Sequence, residues 1–188
     1  MFERFTKDAR DVVKGAVEHA EGERAGTVDP GHLMLALLDR EASRASFALA
    51  ALGADERRES ARRALADSRR RAGLSRAETD ALAGLGIDVS EIVARVEEAH
   101  GIGSMSGDRK GKGWWSGRRG FGRDAKDVLE GALRVAVALR DRHTGDEHIL
   151  LALTSRPGVP AEILADHGVT YESVTRVLYG SGGGAKAG

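Results

Sequence analysis

Phe5-Thr-Lys-Asp-Ala-Arg-Asp-Val-Val13, near the start of the chain, returns as Phe121-Gly-Arg-Asp-Ala-Lys-Asp-Val-Leu129. One constant offset, without gaps, carries the match through Gly15-Ala16 against Gly131-Ala132. It ends at His32-Leu-Met-Leu-Ala-Leu37 against His148-Ile-Leu-Leu-Ala-Leu153. Thirteen of the thirty-three aligned pairs are identical. Internal repetition fixes architecture before any single residue is weighed. The chain is a tandem pair of small helical units.

Within each unit the apolar residues keep helical time. Val12, Val13, Ala16, Val17 and Ala20 recur at three- and four-residue spacing, and so do Val128, Leu129, Ala132, Leu133 and Ala136. Each set forms one apolar stripe. A second helix is predicted to start at Asp29-Pro30. Asp29 can cap its free amides there, and Pro30 suits the first helical position because its missing N–H needs no partner. The counterpart is predicted over 146–153. A third helix is expected over 46–52, stopping at Gly53, and a fourth over 56–72. Residues 161–167, Gly168 and 171–178 take those roles in the second unit. Four short helices cannot each bury a face alone, so each unit must pack as a bundle.

Composition supports an all-α protein. The 188 residues are 41% hydrophobic but only 4% aromatic, which favours helix over strand. The 29 Lys and Arg balance the 29 Asp and Glu, so no overall charge draws the chain to nucleic acid or an anionic membrane. The sequence has no cysteine, so disulfides and thiolate metal sites are excluded. Met1-Phe-Glu-Arg4 lacks a signal-peptide pattern and no stretch has membrane-spanning length. A cytoplasmic location and no membrane partner are the expectation. Both apolar stripes have an internal partner, so a monomer is expected too.

The same patterns divide the chain. Residues 1–73 form the first repeat and 121–179 the second. Between them, 74–100 is a surplus helical hairpin, because Ala48-Leu-Ala-Ala-Leu-Gly-Ala-Asp55 recurs as Ala81-Leu-Ala-Gly-Leu-Gly-Ile-Asp88. Residues 101–120 turn to Gly, Ser, Lys and Arg, a composition that cannot bury enough surface to fold, and read as a flexible basic linker. It carries Trp114-Trp115 among Arg109, Lys110, Lys112, Arg118 and Arg119. Such interleaving can stack on single-stranded bases, but docking of the tryptophans on the bundle is the favoured reading, and nucleic acid is not an expected partner. Residues 180–188 are a Gly-rich tail.

Catalytic patterns fail on inspection. Gly107-Asp-Arg-Lys-Gly-Lys-Gly113 is one residue short of a phosphate loop, lacks Ser or Thr after Lys112, and follows no strand. His143-Thr-Gly-Asp-Glu-His148 gathers two imidazoles and two carboxylates, but without the one-turn spacing that puts both rings on one helical face. His148, like His32, is expected near a helix start in a structural role. No catalytic, cofactor or metal site is predicted.

Phe5-Thr, Ala9-Arg10 and Val12-Val13, with Phe121, Ala125-Lys126 and Val128-Leu129, each lead to a Gly-x-Glu-His-Ile-Leu-Leu-like block. Together they resemble the Clp N-terminal repeat, the double unit that opens ClpC-type and ClpA-type unfoldases. Met1-Phe-Glu-Arg-Phe-Thr6 and Gly145-Asp-Glu-His-Ile-Leu-Leu151 are similar to the ClpC branch in particular. The resemblance implies two tandem four-helix repeats packed as a pseudo-two-fold bundle, with the extra hairpin and linker added. It also implies a non-catalytic module of the Clp system that binds an unfoldase, adaptor or substrate proteins, acting as adaptor, regulator or competitor of the ClpC N-terminal domain. The alternative it implies is a protein that sequesters cyclic peptide antibiotics directed at that domain.

Two sites follow from the resemblance. Phe2, Arg10, Val13, Phe121, Lys126 and Leu129 match the positions around the family's antibiotic-binding surface, where aromatic and cationic side chains can hold a cyclic peptide. The family's phosphoarginine pockets use a Glu that pairs with the guanidinium. Glu147 keeps that carboxylate, whereas Gly31 replaces it in the first repeat. Asp146 stands where the family has Thr, and its charge opposes a bound phosphate.

Overall fold

A computed structural model describes residues 2–54, 58–71, 73–100 and 120–180, with Phe2 and His100 described by their backbone only. A short 3-10 helix, Phe2–Arg4, precedes α1 (Lys7–Gly22), α2 (Pro30–Leu38), α3 (Arg44–Ala51) and α4 (Arg58–Arg70). The second repeat supplies α7 (Arg123–Ala138), α8 (Asp146–Ser155), α9 (Val159–Asp166) and α10 (Tyr171–Tyr179). Between them stand α5 (Arg76–Gly84) and α6 (Val89–His100). The fold is all-α, as expected of two tandem repeats. The linker at 101–119, with its tryptophans, and the tail at 181–188 lie outside the described residues.

Local chemistry sets the helix ends. The Thr6 hydroxyl accepts the Ala9 N–H at 3.2 Å to open α1. Asp29 caps α2 with Pro30 in its first turn. Two helices start earlier than the apolar pattern indicates. α3 begins at Arg44 because Ser43 and Ser46 satisfy each other's backbone N–H groups, a capping box built on serine in place of the usual Glu. α9 begins at Val159, which puts Pro160 in the first turn, where a missing N–H costs nothing.

Helices α2 and α8 are the centre of the molecule. Every residue from Gly31 to Leu38 is buried in α2, and every residue from Asp146 to Leu153 in α8. Around them lie the stripes of α1 (Ala9, Val12, Ala16, Ala20) and α7 (Ala125, Val128, Leu129, Ala132, Ala136). Each long helix approaches its central helix at a glycine. A Cβ on Gly15 would lie 3.2 Å from the Ala36 Cβ, and one on Gly131 would lie 3.3 Å from the Ala152 Cβ. Such contacts are tighter than side chains tolerate without movement.

The repeats interlock about a pseudo-two-fold axis. α2 packs on α8, α3 on α10 and α4 on α9. Isolated parallel bridges join Phe5 to Thr144 and Val28 to Phe121. The residue two before each first helix therefore pairs with the residue two before the other repeat's second helix. The ion pairs duplicate as well: Arg40 reaches Asp8 and Asp11, and Arg156 reaches Asp124 and Asp127.

Candidate functional site

The first turns of α3 and α8 meet across the repeat boundary. Ala45 donates its N–H to Asp146 Oδ2 at 3.3 Å, so the acid of one repeat caps the helix of the other. The next residue, Glu147, is 3% exposed. Its side chain folds back over Gly145, where any Cβ would overlap the carboxylate. Arg44 Nη1 lies 3.0 Å from Glu147 Oε1, and its guanidinium sits 5.2 Å from the centroid of the Tyr179 ring. Carboxylate and aromatic face together make a cation seat, and the chain's own arginine occupies it.

Behind Glu147 runs a hydrogen-bonded network. His148 Nδ1 accepts the Gly145 N–H at 2.9 Å, and its Nε2 lies 3.0 Å from Asp141 Oδ2. The Tyr179 hydroxyl donates to the same oxygen at 3.2 Å. Burial pushes the Glu147 carboxyl up to about 7, with its own backbone N–H and the Arg44 charge pulling the other way. Burial lowers the His148 imidazole and raises the Tyr179 phenol. A cavity of about 240 Å³ opens above, lined by Thr6, Asp8, Arg44, Arg142 and His143 beside the acids.

Ligand atoms of Asp141, Glu147 and His148 lie within 4.8 Å of one another. Both imidazole nitrogens are committed, however: Nδ1 accepts from Gly145, so Nε2 carries the proton and donates to Asp141. The ring therefore has no lone pair left to offer a cation. The cluster holds α8 in place, as the helix-start role expected of His148 requires.

The first repeat builds the same frame with an arginine where the second places its buried carboxylate. His32 Nδ1 accepts the Asp29 N–H at 2.9 Å, and His32 Nε2 lies 3.2 Å from Glu23 Oε2. Where Tyr179 stands in the second repeat, Arg69 of α4 pairs with Glu23 and Asp29. Gly31 takes the place of Glu147, and a Cβ there would lie 3.1 Å from Arg69 Nη2. Burial lowers Arg69 to about 10. A guanidinium therefore fills the space that a carboxylate side chain would need.

The six peptide-site residues divide. Arg10 and Lys126 are exposed at corresponding places on α1 and α7, and Val13 and Phe121 are half-buried. Phe121 is held by its bridge to Val28. Leu129 is a correction: at 2% exposure it belongs to the core, closed to a ligand, although its counterpart Val13 reaches the surface. The backbone of Phe2 lies in the 3-10 helix, and its side chain falls outside the described residues. Arg44, Tyr179 and Asp141 were not legible as site residues. The last two carry only the faint signal of lying where the first repeat places an Arg and an Ala.

Fold and site together define a tandem helical-repeat domain with a buried acidic site where its repeats meet. Residues 4–100 and 120–181 match the Clp repeat (R) N-terminal domain, well over half of the sequence, and the chain belongs to that family. It is similar in structure to the N-terminal domain of the caseinolytic protease associated chaperone ClpD from Arabidopsis thaliana. That likeness has a TM-score of 0.52 at 19% identity and covers 95% of this chain and 94% of that one. A structure from investigations of a malarial protein secretion system matches with a TM-score of 0.50 at 12% identity, covering 93% and 92%. At these identities the likeness concerns fold alone. No helix among the described residues is long and apolar enough to cross a membrane.

Proposed function

We propose that this chain is a non-catalytic binding module of the Clp chaperone–protease system that acts as an adaptor, regulator or competitor of the ClpC-type N-terminal domain. Membership of the Clp N-terminal repeat family supports the system. The observation that carries the site is Glu147, an acid kept almost fully buried against its own solvation and faced by an arginine that is 51% exposed. Acids held in such surroundings cluster at functional positions. A cationic side chain of a partner enters this cavity by displacing Arg44, whose guanidinium can return to water.

The test is capture of Clp unfoldase, adaptor and substrate proteins from the source cell by the immobilised chain, compared with Glu147→Ala and Phe121→Ala. Enrichment lost in Glu147→Ala supports the acidic site. No enrichment of any Clp component by the parent chain overturns the reading. The second reading, sequestration of cyclic peptide antibiotics, is favoured by the exposed cations Arg10 and Lys126 beside half-buried Val13 and Phe121. Calorimetry with such a peptide separates the two, because binding there depends on Phe121 and is indifferent to Glu147.

A further inference from the structure

Three helical hairpins of this chain close with the same turn. Gly53, Gly86 and Gly168 take φ of 70°, 79° and 77°, the left-handed region that favours glycine. The following N–H groups reach back identically: Ala54 to the Leu49 carbonyl at 2.8 Å, Ile87 to Leu82 at 2.9 Å, and Val169 to Leu164 at 2.8 Å. In α3–α4 and α9–α10 the residue after the glycine is buried, Ala54 at 4% exposure and Val169 at 0%. Those two hairpins cover each other, α3 on α10 and α4 on α9.

The α5–α6 hairpin is covered less: Arg76 at the start of α5 reaches Glu162 and Asp166 of α9, and α6 buries Val89 and Val93, but the turn and the outer face of α6 stay open. α5 buries no residue, and the principal packing of α5 and α6 is on each other. Leu85, Ile87 and Ile92 are 77%, 39% and 43% exposed. We propose that this hairpin is a self-association surface whose partner is the α5–α6 hairpin of a second copy of the chain, related by a two-fold axis.

Charge selects that partner. Ile92, Arg95 and Ala99 are exposed on one face of α6 by their spacing of three and four residues, and Asp88, exposed just before the helix in line with them, caps it through Oδ1, which accepts the Ser90 and Glu91 N–H groups. When two α6 helices cross antiparallel at Ile92, Asp88 of each copy faces Arg95 of the other. The surface is thus complementary to itself, as a two-fold contact between identical patches requires. Within one copy Arg95 rests on Glu91 at 2.6 Å, with side chains 76% and 61% exposed, a pair too solvated to compete strongly. The monomer expected from the sequence counted the stripes of the two repeats and left this face out. The apolar area is small, so the expected dissociation constant is on the order of 10–100 µM.

Sedimentation velocity of the full chain from about 1 to about 300 µM reads the association directly. The expected weight-average mass rises from 20.0 kDa towards its double. Ile92→Lys and Arg95→Glu, checked for helicity by circular dichroism, each weaken it about tenfold or more. The chain has no cysteine, so Ile92→Cys under mild oxidation yields a disulfide-linked dimer. Val137→Cys, at a side chain 64% exposed on α7, serves as the control. A constant mass, an association indifferent to Ile92→Lys, or cross-linking no faster than the control overturns the proposal.

Discussion

Replacing Glu147 by Gln is expected to stabilise the protein at about pH 8 and to change little at about pH 5. Burial raises the Glu147 carboxyl from 4.5 to about 7, so the native state holds this proton more tightly than the unfolded chain. Stability then falls as pH rises from 4.5 to about 7, and the full cost is present above that window. At about 1.4 kcal/mol per pKa unit, the cost is roughly 3 kcal/mol at most. Arg44 loses its partner in the variant, but its side chain is 51% exposed and recovers water, so little is forfeited. The amide still buries polar atoms, which leaves an expected gain of about 1–2 kcal/mol, or roughly 2–8 °C in Tm for a chain of this size. Urea denaturation of both proteins across this pH range measures it. The difference between them isolates Glu147 from His148, whose lowered imidazole acts in the opposite sense and costs stability as pH falls through 6.5. A variant less stable than the parent at about pH 8, or a difference that does not shrink towards pH 5, would refute the claim that desolvation outweighs the Arg44 pair.

Three further outcomes are expected. His148→Ala leaves the Gly145 N–H without its acceptor inside the core, opens a cavity there and takes one of two partners from Asp141, and should cost about 2–4 kcal/mol in chemical denaturation. Gly131→Leu forces α7 away from Ala152, and a loss of about 1–3 kcal/mol is expected, measurable as a lowered Tm. Arg156→Ala removes a guanidinium that is 39% exposed; its pairs with Asp124 and Asp127 should contribute under about 1 kcal/mol and fade in high salt.

The sequence spoke most clearly where one residue acts on its own helix. The stripes of α1 and α7, the Asp29-Pro30 start of α2 and the stop at Gly53 are local, and their period or chemistry identifies them. It was silent where the second partner is far along the chain. Nothing near Arg44 shows that its guanidinium meets Glu147, because that contact exists only once α3 has crossed to the other repeat. Leu129 misleads for a related reason. Val13 and Leu129 hold the same place in the repeat, but the surroundings that bury one and not the other are tertiary. The start of α3 escaped because serine stands in for the acid of the usual capping pattern. The copied hairpin was visible as a copy, while its thinner cover was not.

The bridges from Phe5 to Thr144 and from Val28 to Phe121 bear on how such a chain can be cut and joined. The backbone leading into the first helix of each repeat finds its hydrogen-bond partner in the other repeat. A lone repeat would leave those backbone groups to water, so each half of the chain is completed by the other. Expressed as separate fragments, 1–100 and 120–180 should find each other and rebuild the bundle in trans.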